Sequence, residues 1–320
     1  HPGAYAMKWL HRNVHVEAVN LENGEFALKN WFDHSVLGEK LSGSWKIEAN
    51  GKVVACGELE DLSVDPKETL AFSLDYRNIE IVPGAEYFIT FEFVARDGYH
   101  PLVKPGHLLA WDQFKLPIRA ATEAKAPTGE IELEEHPEVI LVTGEDFEVR
   151  LDKQTGDLAS YTVKGIERIV AGGRPELSRP HTDNEARQKI QPHPALKVAG
   201  VNARVKHISA SCEDGSVRIE VIKRMPDVKG EFAVTYTVYP NAEILLDVHF
   251  DLSKTPEKMR PPLKVGMEWQ VPGQMEYLQW FGRSGETYLD RNFSPICLNS
   301  GTVDEQWTDY SVPQENVNKE

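Results

Sequence analysis

A short polar segment in the middle of the chain carries side chains that could do acid–base chemistry. Asp183, Asn184 and Glu185 follow one another, and Arg179 and His181 come just before them. A histidine and a carboxylate can exchange a proton with a substrate, and a nearby guanidinium can anchor that substrate. Polar clusters on long loops often have such roles. A solvated or structural loop is the competing interpretation, and the residue types alone do not decide between the two.

Two tryptophans near the end of the chain, Trp280 and Trp307, could stack on the apolar face of a sugar ring. Phe281 and Tyr310 lie close to them in sequence. Aromatic residues of β-rich chains more often belong to a core or a domain contact. That interpretation is favoured for Trp280, which ends a strand predicted to begin near Met275. Stacking on a carbohydrate remains the alternative for both tryptophans.

The cysteines give no sign of a metal site. Cys56, Cys212 and Cys297 are far apart, without a CxxC pair and without a histidine at ligand spacing. Neither a zinc site nor a disulfide framework can be argued from such a pattern. We therefore expect three packed or partly buried thiols, no metal site and no cofactor in this chain.

Charge narrows the range of partners. The 320 residues have a formal net charge of -15, which repels phosphate backbones and anionic headgroups. No apolar run approaches the roughly 20 residues needed to cross a bilayer. This argues against nucleic acid and membrane partners, whereas a neutral partner such as a carbohydrate is compatible.

Alternation of apolar and polar residues with period two dominates the first third of the chain. It is clear in residues 14–19, 26–32, 44–49, 52–57 and 86–94. Asn-Gly dipeptides separate the first two pairs of segments and favour tight hairpins. Several short strands at this spacing predict an immunoglobulin-like β-sandwich over residues 1–118.

The composition then changes to Ala, Glu, Pro, Thr and Lys, which predicts a linker over residues 119–137. Long alternating segments resume after it, including 158–163, 217–222 and 242–250. They predict a larger antiparallel sandwich over residues 138–320. The fold class expected from the sequence is therefore all-β.

Several segments, in order along the chain, resemble the C-terminal part of large β-galactosidases of glycoside hydrolase family 2. Residues 280–291 resemble a WxGxGxxExYxDR-like run, and residues 301–316 end in a YxxPQENGN-like run, with Val317 where the family has Gly. The other matching segments are 7–14, 106–114 (AGHxxAWxQ-like), 147–157 (FxxxxDxxTGxL-like) and 179–185 (RxPxDND-like).

This resemblance implies an immunoglobulin-like domain followed by a galactose-mutarotase-like supersandwich that is incomplete at its C-terminal end. It also implies a parent enzyme that hydrolyses terminal β-galactosides with retention, which needs two carboxylates about 5–5.5 Å apart. The family carries both on a barrel upstream of residue 1. We therefore expect no catalytic residue in this chain and a barrel as its partner. Asp183, Asn184 and Glu185 are expected on the substrate or barrel side.

Two other functions stay open at this point: a free carbohydrate-binding module and a sugar epimerase. The expected incomplete sheet would leave an open edge, and such edges are templates for pairing with another chain. A homodimer on the second domain is therefore expected, with a loosely ordered tail as the alternative.

Overall fold

The computed structural model describes residues 2–76, 78–119, 127–179, 193–256, 259, 262, 264–283 and 294–306. Its strands pair in antiparallel sheets, which confirms the predicted all-β fold. The chain divides into two compact units. The first contains His1–Glu123 together with Tyr277–Glu320, and the second contains Ala124–Glu276.

The first unit contains two sheets that face each other across an aromatic core. Its elements are α1 (Pro2–Leu10), β1 (Val14–Asn20), β2 (Glu25–Asn30), α2 (Leu37–Lys40), β3 (Leu41–Ala49), β4 (Lys52–Glu58), β5 (Thr69–Ser73), β6 (Tyr87–Ala95) and β7 (Leu108–Lys115). One sheet has the order β1-β2-β5 and the other the order β4-β3-β6-β7. Phe91 lies at the centre of the core and makes an edge contact with the ring of Phe26 at 5.0 Å. This seven-strand arrangement agrees with the predicted sandwich.

The β3–β4 turn shows why the alternation is broken where it is. Asn50 and Gly51 have φ values of 45° and 81°. A two-residue hairpin of this kind needs positive φ at both positions, which asparagine and glycine adopt at little cost. The sequence prediction of a hairpin at this dipeptide is correct.

A buried ion pair fastens the start of the chain to this sandwich. Arg12 Nη2 donates to Asp112 Oδ1 at 2.8 Å, and both side chains are less than 10% exposed. The second oxygen of Asp112 accepts a hydrogen bond from the backbone N–H of Val16 at 2.8 Å. Trp9 stacks on the guanidinium of Arg12 and donates its Nε1–H to the carbonyl of Trp111. These bonds join α1, β1 and β7.

His15 lies beside this ion pair, with its ring against that of Trp31 at a centroid distance of 3.9 Å. Burial lowers the pKa of His15 to about 4, and the charge of Arg12 adds to the effect. The unfolded chain binds this proton more readily, so the His15 contribution weakens folding as pH falls from about 6.5 towards 4. We expect His15→Gln to lose less stability than the wild type across that window in urea titrations. Equal losses in the two proteins would refute this assignment.

A hairpin from much later in the sequence lies on the outer face of the four-stranded sheet. It consists of β19 (Tyr277–Arg283) and β20 (Ile296–Thr302), which pair antiparallel. The amide of Gln113 on β7 donates to the carbonyl of Ile296 at 2.8 Å and accepts from its N–H at 2.7 Å. Phe281 meets Phe88 edge-on at 5.9 Å. The hairpin therefore continues the first unit, although the sequence analysis assigned it to a domain over 138–320, and that boundary stays a prediction.

Gln113→Leu should detach this hairpin without unfolding the sandwich, because it removes both bonds to Ile296 and keeps the side-chain volume. Each hydrogen bond of this kind contributes about 1 kcal/mol. Hydrogen-exchange mass spectrometry should show faster exchange in peptides covering 277–283 and 294–302. Peptides from β2 should be unchanged; they are the control because Gln113 also donates to Thr90 Oγ1 on β6 at 3.0 Å. Unchanged protection of the hairpin would show that Gln113 does not hold it.

The second unit is built from two further sheets. Its elements are β8 (Ile131–Glu135), β9 (Val139–Gly144), β10 (Phe147–Asp152), β11 (Leu158–Val163), β12 (Ile166–Ile169), β13 (Ala171–Glu176), α3 (Pro194–Val198), β14 (Arg204–Glu213), β15 (Ser216–Met225), β16 (Gly230–Val238), β17 (Ile244–Asp251) and β18 (Gly266–Gln270). One sheet has the order β18-β13-β11-β10-β9-β8, with β12 beside β11, and the other has the order β14-β15-β16-β17. Short 3₁₀ turns occur at Pro226–Val228 and, in the first unit, at Asp304–Gln306.

Strict alternation builds the core of this unit. Along β16, every second residue from Gly230 to Val238 is buried, and the intervening residues are partly exposed. β15 follows the same pattern from Val217 to Met225. Strand β8 lies inside the segment 119–137, which was predicted as a linker. Its Ile131 and Leu133 pack against the core of this unit, so this part of the segment belongs to the second unit. The finer prediction of a mutarotase-like supersandwich, and of its incompleteness, stays a prediction.

Candidate functional site

A polar cleft forms where β13 pairs with β18. The register places Arg174 opposite Glu268 and Pro175 opposite Met267. Arg174 Nη2 forms an ion pair with the carboxylate of Glu268, and this hydrogen bond raises the pKa of Arg174. The pair fixes one wall of the cleft.

The cleft has a volume of about 600 Å³ and combines cationic and anionic side chains. Glu176 is oriented by a hydrogen bond that its Oε1 accepts from the N–H of Ser178 at 2.8 Å. Charges of both signs and a hydroxyl suit a polar ligand or a polar protein surface. The residues that line the cleft are Glu176, Ser178, Arg179, Lys197, Lys264, Met267 and Glu268.

A second polar cluster is buried in the same unit. Lys223 is 1% exposed and forms an ion pair with Asp157. Burial lowers the pKa of Lys223, and the attraction of Asp157 opposes that shift. Since Asp157 follows the β10–β11 turn and Lys223 lies on β15, the pair joins the two sheets of the unit.

Tyr236 completes this cluster. Burial raises its pKa, and the charge of Asp157 acts in the same direction. Within the described part of the chain, its buried hydroxyl has no hydrogen-bond partner. Gly173 has a φ of 92°, and a Cβ there would lie 2.2 Å from the Tyr236 oxygen. Glycine is therefore required at position 173 to leave room for the phenol.

Most of the sequence-predicted site residues lie outside the part of the chain that the structure describes. Asp183, Asn184 and Glu185 lie outside the described residues, as does His181. Arg179, immediately upstream of that gap, lines the polar cleft. The prediction that the segment faces a substrate or barrel stays a prediction, as does the acid–base set on which the epimerase interpretation depends.

Of the two tryptophans proposed for sugar stacking, the structure describes Trp280 alone. Trp307 lies outside the described residues. Trp280 belongs to β19 in the first unit, where it is half-buried and donates its Nε1–H to the carbonyl of Arg283 at 3.1 Å.

An apolar groove of about 530 Å³ in the second unit was not predicted from the sequence. Trp269 and Tyr161 line it, and Tyr161 donates its hydroxyl to the carbonyl of Ala242 at 2.6 Å. Asn241 and Glu243 add polar groups to its rim. This groove could have been predicted in part from the alternation of apolar and polar residues in β18, which places Met267 and Trp269 on one face of the strand.

Among the described residues, no group of three or more His, Cys, Asp or Glu side chains could hold a metal ion. Cys56 and Cys212 are exposed and Cys297 is partly buried, all as free thiols. The expectation of packed thiols is therefore wrong for the first two. None of the described helices is long and apolar enough to cross a membrane.

The fold defines an all-β protein of antiparallel sandwiches, and comparison with known proteins gives its family. The family described as "Beta galactosidase small chain" matches residues 143–320, and "Beta-galactosidase, domain 4" matches residues 26–117. The chain belongs to the β-galactosidase small-chain family and corresponds to a C-terminal region of a β-galactosidase.

Curated relatives agree with this assignment. The chain is 27% identical to a β-galactosidase of Priestia megaterium over 99% of its own length and 31% of the relative. It is 27% identical to a β-galactosidase of Streptococcus thermophilus over 99% of its length and 30% of the relative. A β-galactosidase of Psychromonas ingrahamii is 27% identical over 85% of the chain and 28% of the relative. The chain thus spans less than a third of the length of these relatives.

Proposed function

We propose that this chain is a non-catalytic C-terminal portion of a retaining β-galactosidase of glycoside hydrolase family 2. In the parent enzyme it supports the catalytic barrel and the assembly. The observation that carries the proposal is that the buried charged side chains described above are bonded to other groups of the chain. Asp112 is bonded to Arg12 and to the N–H of Val16, and the buried Lys223 is bonded to Asp157.

Retaining hydrolysis needs two carboxylates about 5–5.5 Å apart that both face the scissile bond. The bonds just described instead hold neighbouring elements together within each unit. Buried ion pairs that link different strands and helices in this way have a structural role rather than a catalytic one. The nucleophile and the acid then belong to the barrel of the parent enzyme.

Within this proposal, the polar cleft of the second unit is the docking surface for the barrel. Lys197 and Lys264 provide positive charge, and Glu176 provides negative charge. Polar, mixed-charge surfaces are typical of contacts between domains of one enzyme. Arg179, which precedes the segment expected on the barrel side, lines this cleft.

The test is hydrolysis of nitrophenyl β-galactoside by the purified chain. We expect no turnover above a mock purification from a host strain that lacks its own β-galactosidase. Turnover that scales with this protein through successive columns would contradict the proposal.

Carbohydrate binding is a second candidate, favoured by the groove that Trp269 and Tyr161 line. Flat aromatic rings bind the C–H faces of sugars, and Asn241 and Glu243 could bond the hydroxyls. Calorimetric titration with galactose should give saturable heat that Trp269→Ala abolishes and Trp280→Ala leaves intact. No heat at millimolar galactose would remove this candidate.

A further inference from the structure

Strand β17 presents a free edge in the second unit. It pairs with β16 over its full length, from Ile244 opposite Val238 to Asp251 opposite Glu231. In the described part of the chain, no strand pairs with its other side. Its apolar side chains are unusually exposed: 57% of the surface of Leu245 is accessible to solvent. A long, exposed, apolar edge is a template for pairing with another strand.

The register with β16 assigns the two faces of this strand. Val248 pairs with the buried Val234, so Val248 and Leu246 belong to the core face. Asp247 and His249 lie on the opposite, outer face because successive side chains of a strand alternate. The core face is therefore apolar, whereas the outer face carries Asp247, His249 and Asp251 beside the exposed Leu245.

We propose that β17 is a self-recognition edge, through which two copies of this chain pair antiparallel about a two-fold axis at Val248. In this register Asp247 of each copy lies opposite His249 of the other, so the imidazole can donate a hydrogen bond to the carboxylate twice on the outer face, flanked by Leu245 opposite Asp251. On the core face, Leu246 lies opposite Phe250 of the second copy, twice, and Val248 meets its own counterpart. Hydrogen-bonded polar pairs and apolar cross-strand pairs both stabilise such a ladder.

Neighbouring registers are disfavoured by charge. Centring the axis on Asp247 would place the two Asp247 carboxylates opposite each other. Centring it on His249 would place Asp247 opposite Asp251 twice. A shift by one residue would exchange the apolar and charged faces. The sequence of β17 therefore selects the register centred on Val248.

The surroundings of β17 agree with this pairing. Leu246 lines the apolar groove described above, so the added strand would place a Phe250 ring near the mouth of that groove. On the outer face, Glu231 of β16 lies opposite Asp251 and is paired with Lys206. The net charge of -15 on each copy opposes association, and a single strand pair buries little area, so the dimer is a weak one.

The test is sedimentation velocity of the full chain over a wide concentration range, with charge-exchange variants. We expect a monomer–dimer equilibrium that His249→Asp weakens about tenfold, because it creates two like-charge pairs. The double variant Asp247→His with His249→Asp again places an imidazole opposite each carboxylate and should recover dimerisation. Val248→Lys should abolish it, whereas Val53→Lys, on the free edge strand β4 of the first unit, should leave it unchanged. Circular dichroism checks that every variant is folded.

Several results would overturn the proposal. One is a monomer at all concentrations, and another is a double variant that dimerises no better than His249→Asp. Dissociation by Val53→Lys and not by Val248→Lys would move the interface to the first unit. A chain ending at Gln306 tests residues 307–320 as the occupant instead: dimers that form only after this truncation would show that these residues cover the edge.

Discussion

Replacing Asp112 by alanine should lower the free energy of unfolding of the first unit by about 3–5 kcal/mol. The substitution leaves the buried guanidinium of Arg12 without its carboxylate partner. It also leaves the buried N–H of Val16 without its acceptor. A buried cation without a counterion loses its hydration without compensation, which is why removing one partner costs more than removing both.

Urea titration followed by tryptophan fluorescence measures this loss, with Trp9 and Trp111 in the same bonded group as reporters. Glu17→Ala is the control, because it breaks an exposed ion pair with Lys29 of a kind that contributes little. The double variant Arg12→Leu with Asp112→Leu should recover part of the lost stability. Equal midpoints for the wild type and Asp112→Ala would show that the ion pair does not hold α1 and β1 to the sandwich.

The second large effect is expected at Asp157. Asp157→Ala should destabilise the second unit by about 3 kcal/mol, since it leaves the ammonium of Lys223 buried and unpaired. Lys223→Met should cost much less, because it removes the buried charge itself and leaves the partly exposed Asp157 to water. Combining both substitutions should give no more loss than Lys223→Met alone.

The pH dependence of Asp157→Ala gives an independent check. Burial already lowers the pKa of Lys223 in the wild type, and Asp157 opposes that shift, so loss of the carboxylate lowers it further. Between the lowered folded-state pKa and the usual value of 10.5, the unfolded chain holds the proton that the folded chain has released. Stability therefore rises with pH in that window. The deficit of Asp157→Ala should shrink as pH rises towards 10, and a deficit independent of pH would contradict this explanation.

Strand positions could be predicted because they depend on local alternation. Residues 158–163, read as a strand from the sequence, coincide with β11, and 242–250 nearly coincide with β17. The Asn50-Gly51 turn follows from backbone preferences alone. Strand β8 was missed because three of its five residues are glutamates and its two apolar residues become informative once the core they touch is known.

Contacts between distant parts of the chain could not be predicted in this way. Arg12 and Asp112 are 100 residues apart, and Gln113 and Ile296 are 183 residues apart. Each of these side chains is unremarkable in its local sequence. The polar cleft and the apolar groove depend equally on strand order, which alternation does not encode. Family resemblance pointed to the segment 179–185, of which Arg179 lines the polar cleft, but not to the other residues that line the two cavities.

Under the proposed function, this chain lacks the nucleophile of a retaining glycosidase. The most direct test of this claim is intact-mass spectrometry after incubation with an activated 2-deoxy-2-fluoro-galactoside, which traps the covalent glycosyl-enzyme intermediate of retaining enzymes. A contaminating hydrolase can cause turnover, but it cannot add mass to this 36.1 kDa chain. We predict an unchanged mass, with a complete retaining β-galactosidase labelled in parallel. A stoichiometric fluoro-galactosyl adduct on a carboxylate of this chain would contradict the account.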